Sequence, residues 1–340
     1  MSDGERKAKR PARRRDAPTP VEPEPGYTRR QLLYSAAAAG VTVAAGVALV
    51  DRDSGVEKKS YARIRDHRVE RPSGSADLAV ARGADSADNA RRAIEALGGM
   101  SAFIERGETV AIKPNIGWNR SPEQAANTDP AVVAQIVRMA LAAGASKVWV
   151  SDVSVNTPER CFSRSGIGKA ASAAGADVVL PNPSRFRSVE VGGIRLRMAE
   201  VLEPLVVADK VINVPIAKQH GLTRATLSMK NWYGVLGGHR VLLHQDIHRY
   251  IVDLAVMMKP TLTVMDATRI LIANGPSGGS LGDVKRLDTV AASVDPVAID
   301  AFGAGLLDLA PSDVGYIVMG EHAGLGTADL SRIKMVEVNG

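Results

Sequence analysis

Residues 227–250 read LSMKNWYGVLGGHRVLLHQDIHRY, and three of the chain's six histidines, His239, His244 and His248, fall within ten residues of one another there. Clustered imidazoles can hold a divalent metal, and a His pair four apart on one helix face is a common way to do so. His244 and His248 have that spacing, although Gln245 and Asp246 stand where a metalloprotease helix would carry its glutamate. Lys230 and Asn231, just upstream, point to a second chemistry, the binding of an anion such as phosphate or carboxylate. A third reading needs neither: a helix start with hydrogen-bonded imidazoles. The anion site is the first expectation and the metal-assisted site the second.

The same chemistry recurs at the ends of apolar runs. TVAIKPN finishes on Lys113 and Asn115, KVWVSDV on Asp152, KVINVPIAKQHG on Lys218 and His220, TLTVMDAT on Asp266 and VAASVDP on Asp295. If these runs are parallel strands, their polar ends meet at the sheet edge where α/β proteins bind ligands. Lysine is rarely buried without a partner. Lys113, Asn115, Lys218, Lys230 and Asn231 are therefore the candidate substrate-binding residues. Asp152, Asp266 and His220 are the candidates for moving protons. The competing reading makes each aspartate a helix cap, and Asp295 before Pro296 suits a cap best.

The elements that must position these groups alternate in type. Strand patterns at 77–83, 109–115, 147–153, 177–180, 210–218, 260–268 and 288–295 are separated by helix patterns at 86–99, 129–144 and about 164–174, and another helix starts at Pro296. Asp129 followed by Pro130 is a helix start, and the Gly-Gly at 98–99 a helix stop. LTRATLSMKNWYG (222–234) reads as a helix, and Ile247, Ile251, Leu254, Ala255 and Met258 make one apolar helix face. RSVEVGGIRLRM (187–198) alternates about Gly192-Gly193 and reads as a hairpin. The fold class expected is α/β, a mostly parallel sheet with helices on both faces and an added antiparallel hairpin.

Composition removes several functions. Aromatic residues make up 4% of the chain, too few for a base-stacking platform. Most of the net charge of +6 lies in the first 30 residues, with nine basic against five acidic side chains, and the remaining 310 carry 34 basic against 32 acidic. No nucleic-acid footprint follows. Cys161 is the single cysteine, so neither an internal disulfide nor a self-contained iron–sulfur cluster is expected. No Gly-x-Gly-x-x-Gly or Walker A loop is present. NGPSGGSLGD (274–283) is a glycine-rich loop able to cradle a phosphate, although a mobile surface loop is the default reading.

Upstream of the folded part, residues 1–26 are basic and proline-rich and read as disordered. Residues 27–50 then place Arg29-Arg30 before an uncharged run from Gln31 to Val50. That segment resembles a twin-arginine export signal, with Leu32 where the pattern often has Phe. The run approaches the roughly 20 residues of a membrane span. An exported, extracytoplasmic protein is expected, membrane-anchored if the signal stays uncleaved, with the export machinery as a partner. Residues 51–76 read as a polar tether and 77–340 as the α/β domain.

Three blocks carry a wider resemblance. VAIKPNIG…NTDPAVVAQIVRMALAAGASKVWVSD, VINVPIAKQHGLTRATLSMKNWYGVL and VMDAT…NGPSGG…SVDPVAIDAFGA together resemble the DUF362 family of uncharacterised prokaryotic proteins over roughly residues 78–310. The resemblance implies an α/β fold and a polar cleft, and it supplies no reaction. Many family members are fused to a ferredoxin-like domain, and this chain departs from that version. Two function classes follow. One is an enzyme acting on a small anionic substrate, with or without a metal. The other is a non-catalytic accessory protein for a redox or cofactor-assembly partner.

Overall fold

The computed structural model describes residues 62–70, 74–238 and 240–339. The twin-arginine segment and His239 lie outside the described residues.

The chain order is β1 (Ala62–Arg63), β2 (Leu78–Arg82), α1 (Ser86–Glu95), β3 (Thr109–Pro114), α2 (Pro130–Ala142), β4 (Lys147–Ser151), α3 (Pro158–Arg164), α4 (Ile167–Ala173) and β5 (Asp177–Val179). It continues with β6 (Phe186–Glu190), β7 (Met198–Leu202), α5 (Pro204–Val207), β8 (Lys210–Val214), β9 (Ile216–His220), β10 (Arg224–Thr226), α6 (Ser228–Asn231) and α7 (Ile247–Met258). β11 (Leu262–Leu271), β12 (Val284–Ser293), α8 (Pro296–Leu306), α9 (Gly315–His322) and β13 (Met335–Asn339) complete it.

The large sheet runs β13-β2-β12-β11-β8-β3-β4-β5, and β9 joins it through β11 and carries β10. β5, β4, β3, β8 and β11 are parallel neighbours. β12 lies antiparallel between β11 and β2. Successive strand residues point to opposite faces, and both faces are covered. Leu78, Val80, Ala111 and Val211 join one core with α7 and α8 residues such as Leu254 and Val297. Ala79, Ala81, Val110, Ile112 and Ile212 join the other with Ile94 of α1 and Ile136 of α2. That two-sided burial explains why these strands are apolar at every position rather than alternating.

The local signals explain most boundaries. Asp129 accepts a hydrogen bond from Ala131 N at the start of α2, and Pro130 follows in the first turn. Asp85 caps α1, accepting the N–H groups of Ala87 and Asp88. The helix expected at about 164–174 is α4, and a further helix, α3, precedes it, separated from it by Gly166 turned left-handed (φ 75°). Pro215 divides the run 210–218 into β8 and β9, since it has no N–H to give the ladder.

The added antiparallel hairpin at 187–198 forms as β6 and β7, which join β1 in a three-stranded sheet of their own. Two other expectations are corrected. The described part of the supposed tether is built into the fold. Ala62 and Arg63 pair with Val189 and Glu190, and the buried His67 receives the Thr261 hydroxyl on its carbonyl at 2.8 Å. The helix expected over 222–234 shrinks to α6, because Arg224–Thr226 fold back on β9, and Trp232–Val235 tighten to a 3₁₀ turn.

Candidate functional site

Strands β8, β3 and β4 are parallel and adjacent, so the residues after their last apolar positions meet at one edge. There Lys113 Nζ lies 2.8 Å from Asp152 Oδ1, with both side chains almost completely buried. Asp152 Oδ2 accepts the Ile116 N–H at 2.5 Å, while Oδ1 has no well-aligned hydrogen bond and faces Lys113 as an ion-pair partner only. Lys113 also donates to the Pro114 carbonyl at 2.8 Å and to Asn231 Oδ1 at 3.0 Å.

Asn231 joins the strand ends to each other. Its amide oxygen also accepts from Asn115 Nδ2 at 3.0 Å, and its nitrogen donates to the Lys113 carbonyl at 3.2 Å and to Asn213 Oδ1 at 2.8 Å. Asn115 Oδ1 in turn accepts from Lys218 Nζ at 3.2 Å, and Lys218 donates to the Ala126 carbonyl at 2.6 Å. The result is a continuous path Lys218–Asn115–Asn231–Lys113–Asp152, in which neutral amides separate two cations.

The short helix α6 is held from below by Asp300, which accepts the N–H groups of Ser228 at 2.6 Å and Met229 at 3.0 Å. Burial pushes the Asp300 carboxyl up to about 7. Asp295, five residues earlier, caps α8 through Val297 N and Ala298 N, as its Pro296 neighbour foretold, and also takes the Thr327 N–H. Past α6, Gly234 passes against the ion pair: a β-carbon there would stand 2.0 Å from Asp152 Oδ1 and 2.5 Å from Lys113 Nζ. Asn231 and Gly234 thus each have a physical task at this sheet edge.

These groups line a cavity of about 250 Å³. Among the described residues four cations border it, Lys113, Lys218, Lys230 and Arg240, against one carboxylate, Asp152. Lys230 is 8% exposed and lies 5.2 Å over the Tyr233 ring. Among the described residues it has no hydrogen bond or ion pair. Burial brings its pKa down to about 8. Lys218 is brought down to about 7, first by burial and then by the Lys230 charge. Burial also lowers Lys113, against the pull of Asp152. Thr226, across the β9–β10 ladder from Lys218, places in the same wall a buried hydroxyl with no hydrogen-bond partner among the described residues.

His220 accepts the Leu222 N–H at 3.1 Å and the Thr223 N–H at 3.3 Å on Nδ1. Burial, with the Lys230 and Lys218 charges behind it, takes its pKa down to about 3. The ring is therefore neutral with its proton on Nε2, a hydrogen-bond donor rather than a base. Arg240, which sequence reasoning passed over, donates through Nη1 to the Val153 carbonyl at 2.8 Å and the Tyr233 carbonyl at 3.2 Å, and through Nη2 to the Ser154 carbonyl at 2.8 Å.

Other candidates stand elsewhere. Asp266 is buried away from the cavity wall, where Oδ1 accepts from the Thr268 N–H and hydroxyl and Oδ2 from the Asp129 N–H. β11 runs on to Leu271, so Asp266 sits in mid-strand rather than at an end. His244 reaches the cavity, edge-on to Tyr233 at 5.9 Å, but His248 stacks on Tyr316 at 6.1 Å. Residues 240–246 are 3₁₀ and α7 begins at Ile247, so His244 and His248 do not form an i, i+4 helical pair. Among the described residues no group of three or more His, Cys, Asp or Glu could hold a metal ion. In the glycine-rich loop, Gly275 N is taken by Gln219 Oε1 at 2.7 Å, and only Pro276 reaches the cavity.

Comparison with known proteins adds the lineage. The profile of the family described as Domain of unknown function (DUF362) matches residues 110–305. The chain belongs to the DUF362 family. It is 27% identical over 244 residues to a thylakoid-associated protein of Synechocystis, covering 69% of this chain and 74% of that one. Among solved structures, this DUF362 protein resembles the lactate racemase apoprotein from Thermoanaerobacterium thermosaccharolyticum at 12% identity and TM-score 0.44, over 72% of this chain and 60% of that one. A Thermotoga maritima protein resembles it at 10% identity and TM-score 0.37, over 67% of this chain and 60% of that one. The match to the DUF362 profile takes in Lys113, Asp152, Lys218, Lys230, Asn231 and Asp300 together.

Proposed function

We propose that this DUF362 protein is an enzyme that binds a small anionic substrate in the Lys113–Lys230 cavity. The observation that carries the reading is Lys230, a cation 8% exposed, bordering the cavity, with no protein acceptor among the described residues. A buried charge without a partner is costly, and an anionic ligand supplies the missing partner. The Thr226 hydroxyl and the His220 Nε2–H offer further donors on the same wall. Asp152, paired with Lys113, is the single carboxylate lining the cavity among the described residues and the residue we assign to proton transfer, with Lys218 as its neighbour through the amide path. Asp266 has no part in this reading, and His244 serves as a wall residue.

The leader extends the proposal: Arg29-Arg30 and the uncharged run behind them would send the folded chain through the twin-arginine route to an extracytoplasmic site.

The test is thermal unfolding of the wild-type chain and Lys230→Met against inorganic phosphate and small carboxylates. A ligand that binds only the native state raises the midpoint with concentration. A rise in wild type that disappears in Lys230→Met supports the anion site. No rise with any of these anions sinks it and brings forward the accessory role with a redox or cofactor-assembly partner.

A further inference from the structure

We infer that Lys230 is a nucleophile that forms a Schiff base with a small anion carrying an aldehyde or ketone beside its charge. The inference rests on the anion-binding reading above and narrows its substrate class.

The four cations of the cavity are not equivalent. Lys113 directs its ammonium at Asp152, the Pro114 carbonyl and Asn231. Arg240 is committed to three backbone carbonyls. Lys218 gives two of its three N–H bonds, to Ala126 and Asn115. Lys230 alone faces the cavity with no acceptor among the described residues, its side chain closed in by the Tyr233 ring. Its ammonium form is the one an arriving anion partners, and the neutral amine in exchange with it needs no acceptor. Its lone pair is then free to attack. A lysine desolvated beside other cations is activated in this way. Burial agrees, since a pKa of about 8 leaves about a tenth of Lys230 neutral at pH 7.

The remaining donors suit the charged end of such a substrate. The third N–H of Lys218, the Thr226 hydroxyl and the His220 Nε2–H share the β9–β10 wall. A 2-oxo carboxylate is the smallest anion that offers both a carboxylate to these donors and a carbonyl carbon to Lys230.

The step balances within the site. The Lys230 lone pair forms a C–N bond to the carbonyl carbon. The carbonyl oxygen takes a proton as the nitrogen loses one, giving a carbinolamine. The hydroxyl then leaves as water with one further proton, drawn from the Lys218 ammonium, and a protonated C=N bond remains. One water is released and one proton consumed.

The experiment treats the full chain with pyruvate and sodium cyanoborohydride and maps modified lysines by peptide mass. The expected result is a single carboxyethyl group on Lys230, formed faster than on any surface lysine and suppressed by excess inorganic phosphate. The mark is expected to be lost in Lys230→Arg, which keeps the charge but not the nucleophile. Labelling that is uniform over surface lysines, while phosphate still raises the unfolding midpoint, overturns the covalent role and leaves the anion site standing. Absence of both labelling and thermal shift overturns the two together. If Lys230→Arg fails to fold, mapping of the wild-type protein decides the question by itself.

Discussion

Gly234 lies so close to Asp152 that a β-carbon on it would stand 2.0 Å from the carboxylate oxygen that faces Lys113. The turn after α6 therefore approaches the buried ion pair with backbone alone, and the Val153 N–H reaches the Gly234 carbonyl at 2.7 Å across the same contact. Neither neighbour can yield cheaply, because both ion-pair side chains are fully enclosed. Gly234→Ala is expected to lower stability by about 1–3 kcal/mol, the usual cost of overpacking, and to weaken anion binding. Denaturant unfolding and a phosphate titration read the two effects. A variant as stable as wild type would mean that the turn moves freely.

Lys218 sets a pH window. Its pKa is about 7 in the folded chain, against about 10.4 for an unperturbed lysine. Between those values the unfolded state binds more protons, so stability rises with pH. Below about pH 7 lysine is charged in both states and its burial penalty is present in full. Lys230, at about 8, adds a slope of the same sign. Unfolding midpoints measured from pH 7 to 10 should climb in wild type and climb less in Lys218→Met. Equal slopes in the two proteins would show that Lys218 titrates normally.

Thr226 separates stability from binding. Its buried hydroxyl has no hydrogen-bond partner among the described residues. An unsatisfied hydroxyl costs roughly 1–3 kcal/mol in mutational series. Thr226→Val should therefore stabilise the empty protein while weakening its affinity for phosphate or carboxylate. Loss of stability without loss of affinity would assign Thr226 to packing alone.

Asp300 acts through α6 without touching the cavity. Its removal strands two buried N–H groups, on Ser228 and Met229, each costing roughly 1–3 kcal/mol when left unsatisfied. Asp300→Ala is expected to unfold at markedly lower denaturant and to lose anion affinity because Lys230 and Asn231 shift with the helix. Asp300→Asn, which keeps one acceptor oxygen, should recover part of both. An affinity unchanged in Asp300→Ala would show that α6 keeps its place without this anchor.

Much of the site was legible because parallel strands end where their apolar runs end. Lys113, Asn115, Asp152 and Lys218 follow from that rule, and Lys230 and Asn231 from their place just upstream of the histidines. The same rule misplaced Asp266, since β11 continues five residues past it and its partner β12 is antiparallel. Thr226 and the neutral state of His220 were hidden because β10 is three residues long and reads as the beginning of a helix. The His244–His248 pair looked like a metal site only while residues 240–246 were taken as α-helix, and a 3₁₀ segment does not keep that face. Arg240 had no signal beyond its neighbours: backbone carbonyls hold its guanidinium, and composition does not reveal them.

β12 gives the family boundary a practical meaning. On one side it pairs with β11, and on the other its residues Thr289–Ser293 pair with Leu78–Arg82, which in turn pair with β13. The matched stretch 110–305 contains β12 but neither of the two strands beyond it. Expressed as an isolated fragment, that stretch would bare a row of N–H and C=O groups on the uncharged Thr-Val-Ala-Ala-Ser end of β12, a template for edge-to-edge aggregation. The smallest soluble unit that carries the cavity must therefore include both chain segments flanking the family match, and crystallisation or display fragments should be cut outside Leu78 and Asn339.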